Sequence, residues 1–185
     1  MLKRKIKLIF RRETFRRLNK KQITPVAAPV LEFKVIPWGS QAYLAGIDLR
    51  NDSLNIPSNL PLITSVPDQE AEAIHLVAMI QDQVVGTLFL DGTEREHVAQ
   101  VKQVAISPNF RGQRIGQQLM AYAEVVAQTY GYAEIILNAR DTAWNFYAKL
   151  NYQTFGEIYS NGTNAMQPYR KVLQSVPQEE LFVVA

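Results

Sequence analysis

The stretch Val101-Lys-Gln-Val-Ala-Ile-Ser-Pro-Asn-Phe-Arg-Gly-Gln-Arg-Ile-Gly116 runs directly into Gln117-Gln-Leu-Met-Ala-Tyr122. It begins as an apolar strand that stops at Ser107-Pro108, and an amphipathic helix begins after a short turn that contains Arg111 and two glycines. Unpaired backbone N–H groups and the positive end of a helix dipole converge at such a turn. Because this combination binds phosphate readily, the sequence predicts a phosphorylated ligand.

Two common phosphate loops are excluded by the residues of this turn. It lacks the Gly-Lys-Ser/Thr ending of the nucleoside-triphosphate loop, and it lacks the three glycines and downstream acidic residue of the dinucleotide fingerprint. A bare Gly-x-x-x-Gly also fits an ordinary strand–turn–helix corner. Arg111 and Arg114 flank the turn, however, and a purely structural corner gains little from two cations. The arginines therefore favour the phosphate site.

Composition limits the class of protein. The chain has 185 residues, 47% of them hydrophobic, which fits one globular domain with a tail. It contains no cysteine, so neither a disulfide nor a thiol nucleophile is available. No apolar run reaches the roughly 18 residues that a membrane-spanning helix needs. We expect a cytoplasmic protein, since a reducing compartment suits this composition without being required by it.

Charge is distributed unevenly along the chain. Residues 1–21 hold ten of the twenty Lys and Arg, whereas the remaining residues carry a net charge of −6. We therefore divide the chain into a basic arm (1–30), one domain (31–175) and a C-terminal tail (176–185). The arm fits a transit peptide or a helix for anionic lipid or nucleic acid, but a solvated tail explains it at least as well as either. We assign it no function and do not expect nucleic-acid or membrane contact through it.

Hydrophobic periodicity and capping signals predict the order β-α-βββ-α-β-α-ββ. The fold class is mixed α/β, with a mostly antiparallel sheet flanked by helices on both faces. Tight turns join the three central strands, one of them at Asp91-Gly92, and a crossover makes the next strand parallel. The predicted strands are 31–36, 74–80, 84–90, about 97–106, 133–137, 152–159 and 165–173; the predicted helices are 41–50, a segment from Ile115 through Val126, and about 141–150.

Capping residues and one long connection complete this outline. Ser40 is the expected N-cap of the first helix, and Gly131 and Asn151 are the expected left-handed ends of the other two. Residues 51–68 contain three prolines among polar residues, so they form a long irregular loop. Loops of this length in a compact domain are commonly walls or lids of a site.

Three segments of the chain resemble the GNAT superfamily of acyl-CoA-dependent N-acetyltransferases. They are Val104-Ala-Ile106, Arg111-Gly-Gln-Arg-Ile-Gly116 and Ala143-Trp-Asn-Phe-Tyr147-Ala-Lys-Leu-Asn-Tyr152. The resemblance extends over about residues 31–173. It departs from the family at Arg114, where glycine is commoner, at Asn151-Tyr152 in place of Gly-Phe, and at Arg140, where many relatives have Asn.

The resemblance implies a role for each matching position. Amides of the turn would hold the pyrophosphate of coenzyme A, main-chain groups of the preceding strand would pair with the pantetheine arm, and Tyr147 would lie near the thioester sulfur. Asn138 stands in for the Asn that Arg140 replaces. The expected coenzyme-binding residues are Val104, Ala105, Ile106, Arg111, Gly112, Gln113, Arg114, Ile115, Gly116, Asn138 and Tyr147.

The catalytic candidates are Tyr147, Glu96 and His97. Tyr147 would donate a hydrogen bond to the developing thiolate; its helical spacing fits a core aromatic as well. Glu96 and His97 lie where relatives often place a general base, and His97 has the better intrinsic pKa. A solvated strand end is the alternative for both.

Other polar and aromatic residues have structural interpretations. His75 opens a buried-looking strand and is expected to be a satisfied core histidine. Arg50 could meet an acidic substrate, but a solvent-facing helix end is favoured. Trp38 and Trp144 are interpreted as packing residues.

The sequence thus predicts an N-acetyltransferase that transfers the acetyl group of acetyl-CoA to a primary amine of a small molecule or a protein. Without a cysteine, the amine would attack the bound thioester directly. No metal is expected, and a homodimer is left open. The alternative is a non-catalytic acyl-CoA-binding or interaction module on a degenerate acetyltransferase fold.

Overall fold

One eight-stranded sheet organises residues 30–174, the part of the chain that this computed structural model describes. The basic arm and the C-terminal tail lie outside the described residues. The strands are β1 (Leu31–Ile36), β2 (Ile74–Ile80), β3 (Gln83–Gly92), β4 (Val98–Ile106), β5 (Glu134–Arg140), β6 (Gln153–Thr154), β7 (Tyr159–Ser160) and β8 (Ala165–Val172). The helices are α1 (Gln41–Arg50), α2 (Ile115–Thr129) and α3 (Trp144–Lys149).

The sheet is mixed and mostly antiparallel, which confirms the predicted fold class. Its strand order is β1-β2-β3-β4-β5-β8-β6, with β7 also paired to β8. Only the β4–β5 pair is parallel within the described residues. The predicted strand 152–159 is in fact two short strands, because the chain bends away from β8 around Gly156, whose φ is +69°.

Helices cover both faces of the sheet, as predicted. Side chains of a strand alternate between faces, so neighbouring residues point in opposite directions. On β2, Val77 packs in the cluster that contains Leu49 of α1. Leu76 packs in the larger cluster that contains Leu119 of α2. We call these the α1 face and the α2 face.

Local signals fixed most of the element ends. Ser40 accepts a hydrogen bond from the Tyr43 N–H at 3.3 Å. Gly131 and Asn151 follow α2 and α3 with φ of +85° and +63°. The tight turn predicted at Asp91-Gly92 was wrong: β3 continues through both residues, pairing with β4, and the connection follows at 93–97.

Asn51 stabilises the long connection between α1 and β2 through its side chain. The helix continues into a π-helical turn, Asn51–Asn55. The Asn51 amide donates to the Ile63 carbonyl at 3.0 Å and accepts from the Ile63 N–H at 2.9 Å. Asn55 donates to the same Asn51 oxygen at 3.0 Å. The connection is therefore an ordered wall and not only an irregular loop.

A buried ion pair joins the two ends of this connection. Arg50 is 3% exposed, which corrects the expected solvent-facing helix end, and its two terminal nitrogens each lie 2.8 Å from a Glu70 oxygen. The Tyr43 hydroxyl donates to Glu70 at 2.7 Å; burial and this carboxylate raise the pKa of Tyr43 to about 12. His75 donates to the Glu70 carbonyl at 2.8 Å, and burial lowers its pKa. His75 is thus the satisfied core histidine that was predicted.

Glu70→Gln should destabilise the domain strongly. The substitution keeps the side-chain volume but leaves the Arg50 charge buried without a counter-ion, which costs about 3–5 kcal/mol. Urea unfolding followed by circular dichroism measures the loss. Glu32→Gln is the matched control, because the Glu32–Lys34 pair is half exposed and contributes at most about 1 kcal/mol. Equal midpoints for the two variants would contradict the argument.

No helix in the described stretch combines the length and apolar character needed to cross a membrane.

Candidate active site

The two parallel strands at the centre of the sheet separate along their length. They pair only over Val98–Gln100 and Glu134–Ile136, although β4 continues to Ile106 and β5 to Arg140. Just beyond the last pair, β4 carries a bulge against β3, at Gln103 with φ of +56°. A bulge bends its strand and increases the twist, which directs β4 away from β5.

A cavity of about 950 Å³ occupies the wedge between the separated strands. Its walls come from β4, β5, the turn after β4, α3 and the π-helical turn Asn51–Asn55. This volume lies in the range of about 300–1,000 Å³ that is usual for ligand sites. The connection after α1 therefore forms a wall of the cavity, as its length predicted.

The turn between β4 and α2 presents free backbone donors. Gly112 and Arg114 have positive φ angles of +77° and +62°. The Arg111 N–H donates to the Pro108 carbonyl. The Gln118 N–H makes the first hydrogen bond of the helix, to the Arg114 carbonyl. Between them, the N–H groups of residues 112–117 have no acceptor within residues 30–174. Such a run of amides at a helix start is an anion-binding concavity.

The charge of the cavity agrees with an anionic ligand. Lys102, Arg111, Arg114 and Arg140 line it, whereas no Asp, Glu or His of the described residues does. The Arg111 Nε donates to the Ile106 carbonyl at 3.2 Å, which holds the guanidinium beside the turn. Within residues 30–174 no three His, Asp or Glu side chains are grouped as metal ligands.

Tyr147 reaches this cavity from α3. It is 7% exposed and packs against Phe146, Tyr152 and Tyr169, with ring centroids 5.0–6.0 Å away. Its hydroxyl has no hydrogen-bond partner among the described residues, and burial raises its pKa. The residue is therefore a core aromatic by packing and a cavity residue by position, so the two sequence interpretations are compatible.

The structure does not bring Glu96 and His97 to the cavity. Both are exposed and lie in the connection that precedes β4. The His97 ring Nδ1 donates to the Gly131 carbonyl at 2.9 Å. The turn between β4 and α2, which we call the phosphate turn, follows the opposite end of β4. That end is roughly 25 Å away for an extended strand of 9 residues. This placement matches the solvated strand end.

Most of the expected coenzyme-binding positions meet in the cavity. Ala105 and Gln113 do not line it; the Ala105 side chain is buried on the α1 face. The Ile106 carbonyl already accepts from Ser53 at 3.3 Å and from Arg111. The positions that line the cavity are Val104, Ile106, Arg111, Gly112, Arg114, Ile115, Gly116, Asn138 and Tyr147.

Sequence reasoning missed Gln100 and Lys102, two of the polar β4 residues that line the cavity. They alternate with buried Ala99 and Val101, so the period-two pattern carried the signal. Their position beside an opening could not be read, because it depends on where β4 separates from β5.

The acetyltransferase (GNAT) domain family matches residues 71–154, which include the β4–turn–α2 segment. Over these residues the chain is similar to GNAT acetyltransferase domains. The family places the domain among acyl-transferring proteins in general.

Solved structures of acyltransferases share this fold. An acyl-CoA N-acyltransferase from Pseudomonas aeruginosa aligns with a TM-score of 0.67 at 21% identity, covering 77% of this chain and 100% of that one. A Lactobacillus plantarum protein provisionally named an N-acetyltransferase gives 0.68 at 23%, covering 77% and 99%. An aminoglycoside 6'-N-acetyltransferase complexed with coenzyme A gives 0.60 at 16%, covering 79% and 99%. At these identities the likeness concerns the fold.

Arg114→Gly should stabilise the domain. A non-glycine residue in the left-handed region costs about 1–2 kcal/mol, and the added flexibility of glycine in the unfolded chain offsets about half of that. We expect a net gain of about 0.5–1 kcal/mol in the free energy of unfolding, measured in urea. Arg114→Ala is the control, because it removes the charge but keeps the unfavourable φ. A gain of equal size in both variants would assign the effect to charge.

Proposed function

We propose that this protein transfers an acetyl group from acetyl-CoA to a primary amine by direct attack within a ternary complex. The observation that carries the proposal is the run of free amides at residues 112–117, which opens into the wedge between β4 and β5. A diphosphate supplies negative charge and hydrogen-bond acceptors, and the free amides of this turn have neither. The coenzyme A complex of the aminoglycoside 6'-N-acetyltransferase, which shares the fold, supports the choice of donor.

The wedge suits the arm that follows the diphosphate. Residues of β4 beyond Gln100 have no partner strand on the β5 side, so an amide-containing arm can take the place of a strand there. Val104 and Asn138 line opposite sides of the opening. We assign the pantetheine arm to this position, with its thioester directed toward Tyr147.

The reaction then needs few catalytic groups. Holding an amine against a thioester can supply about 7–11 kcal/mol of barrier reduction through orientation. The amine nitrogen forms a bond to the acetyl carbon, the C–S bond breaks, and coenzyme A leaves as a thiol after the nitrogen loses a proton. Because burial raises the pKa of Tyr147, its hydroxyl acts as a hydrogen-bond donor to the sulfur and not as a strong acid.

A shortened donor tests the phosphate turn. S-acetylpantetheine keeps the thioester arm but lacks the diphosphate, so it should bind at least about 100-fold more weakly than acetyl-CoA, each charge-assisted hydrogen bond contributing about 1.5–3 kcal/mol. Isothermal titration measures both affinities. The control ligand is acetylated dephospho-coenzyme A, which lacks only the 3'-phosphate and should keep most of the affinity. Equal binding of acetyl-CoA and S-acetylpantetheine would remove the diphosphate from this turn.

Tyr147→Phe tests the catalytic step. The variant should lose about 100-fold in kcat, because it cannot donate a hydrogen bond to the sulfur, while its affinity for acetyl-CoA stays within about twofold. Thiol release in the presence of an amine panel gives the rate, and the chain adds no background because it has no cysteine. Tyr152→Phe is the matched control: Tyr152 is equally buried, its hydroxyl lacks a partner, and it does not line the cavity. An unchanged kcat in Tyr147→Phe would refute the donor role.

A second function has one observation in its favour. No carboxylate or imidazole of the described residues lines the cavity. A non-catalytic acyl-CoA-binding module would lack such groups in the same way. Such a module would bind acetyl-CoA tightly and release no thiol with any amine of the panel. Turnover that falls in Tyr147→Phe would exclude it.

A further inference from the structure

The cavity crosses the sheet, and its two ends differ in character. On β4, Val101 faces α2, so Gln100 and Lys102 point to the α1 face. On β5, Leu137 and Ala139 face α2, so Asn138 and Arg140 also point to the α1 face. The phosphate turn opens α2 and belongs to the other end. The end on the α1 face is therefore the place for an acceptor when the donor occupies the turn.

This acceptor end carries positive charge without a free negative one. Lys102 lies 2.6 Å from Asp91, so that pair is close to neutral. Arg140 has no carboxylate partner among residues 30–174. Since no Asp or Glu of these residues lines the cavity, an acceptor with several ammonium groups would find no counter-ion there.

Arg140 is anchored in a way that leaves part of its guanidinium free. Its Nη1 donates to the Leu54 carbonyl at 3.3 Å and to the Ser58 hydroxyl. Guanidinium carries five N–H donors, and those on Nε and Nη2 have no acceptor within the described chain. Neither nitrogen is a buried atom that lacks a hydrogen-bond partner, so solvent or a ligand can reach both. A guanidinium fixed at one nitrogen presents a planar edge that matches the two oxygens of a carboxylate.

We infer that the acceptor is an amine that also bears a carboxylate, an amino acid or a related compound, and that the free edge of Arg140 binds this carboxylate. The inference rests on the proposed function. It agrees with the chemistry of attack, because an α-amino group has a pKa of about 8 against about 10.4 for lysine, and a nearby cation favours the neutral form that attacks. A site without a carboxylate or imidazole base can therefore use such an amine at neutral pH.

Matched acceptor pairs test the inference. Each pair contains an amino acid and its carboxamide, with identical side chains, and spermidine serves as a polycation. Thiol release from acetyl-CoA gives kcat/KM, and titration of each compound into the complex of the protein with coenzyme A gives a binding constant that does not require turnover. We expect the best amino acid to exceed its amide by at least tenfold in both measurements, and spermidine to be the poorest.

Two variants separate recognition from support of the wall. Arg140→Gln should reduce the preference for carboxylate over amide to below about threefold, by lowering binding of the amino acid roughly 10- to 100-fold. Leu60→Ala changes the same wall without removing a hydrogen bond of Arg140, so any loosening of the wall should weaken both members of a pair equally and keep their ratio. Affinity for acetyl-CoA should be the same in Arg140→Gln as in the parent chain.

The outcomes separate this inference from the proposed function. Acetylation of amides or spermidine in preference to amino acids would overturn the inference and leave the acetyltransferase in place. Arg140-dependent binding of amino acids to the coenzyme complex without thiol release would uphold the ligand class and overturn the proposed function. Loss of acetyl-CoA affinity in Arg140→Gln with an unchanged ratio would assign Arg140 to the donor and overturn the inference.

Discussion

The separation of β4 from β5 is the constraint on which the rest of the site depends. The pairing ends after Gln100, and the bulge at Gln103 carries the remainder of β4 away from its neighbour. A strand in this position would normally satisfy its N–H and C=O groups on both sides. Here one side is left to a cavity at the centre of the sheet. Acetyl-CoA, the donor that we propose, has an extended arm with amide groups, and such an arm suits this opening.

In the function that we propose, position along the wedge separates binding of phosphate from recognition of an acceptor. The free amides of residues 112–117 lie where α2 begins, on the α2 face. Arg140 and the wall formed by Asn51–Asn55 stand on the α1 face. Tyr147 lies within a packed aromatic cluster, and these ring contacts fix the position of its hydroxyl. Rigid packing of this kind is how a single polar group is placed with the accuracy that catalysis needs.

Local chemistry made much of the fold readable from the sequence. β1, α1 and β2 begin and end at the predicted residues, because their alternation and the Ser40 cap are local signals. The place of the phosphate turn, between a strand and a helix, followed from its glycines and Ser107-Pro108, whereas the left-handed conformation of Arg114 was not predicted. Asp91-Gly92 misled because strand pairing overrode its turn preference.

The acceptor side could not be read in the same way. Arg50 has its partner 20 residues away at Glu70, and Arg140 finds Ser58 82 residues away. Such contacts are set by the tertiary fold and leave no local pattern. Glu96 and His97 were chosen for their chemical type near the start of a strand, yet the length of β4 separates them from the turn. Residue type alone therefore located the turn that lines the cavity but misplaced the candidate base.

The Arg50–Glu70 pair also makes the wall of the acceptor end an independent module. This pair joins the two ends of the connection between α1 and β2, and the Asn51–Ile63 hydrogen bonds join two points within it. Ser58 of this connection anchors Arg140 and Leu60 lines the cavity, whereas the phosphate turn lies elsewhere in the chain. In the function that we propose, substitutions in this one connection would change the acceptor while the turn that holds the donor keeps its sequence.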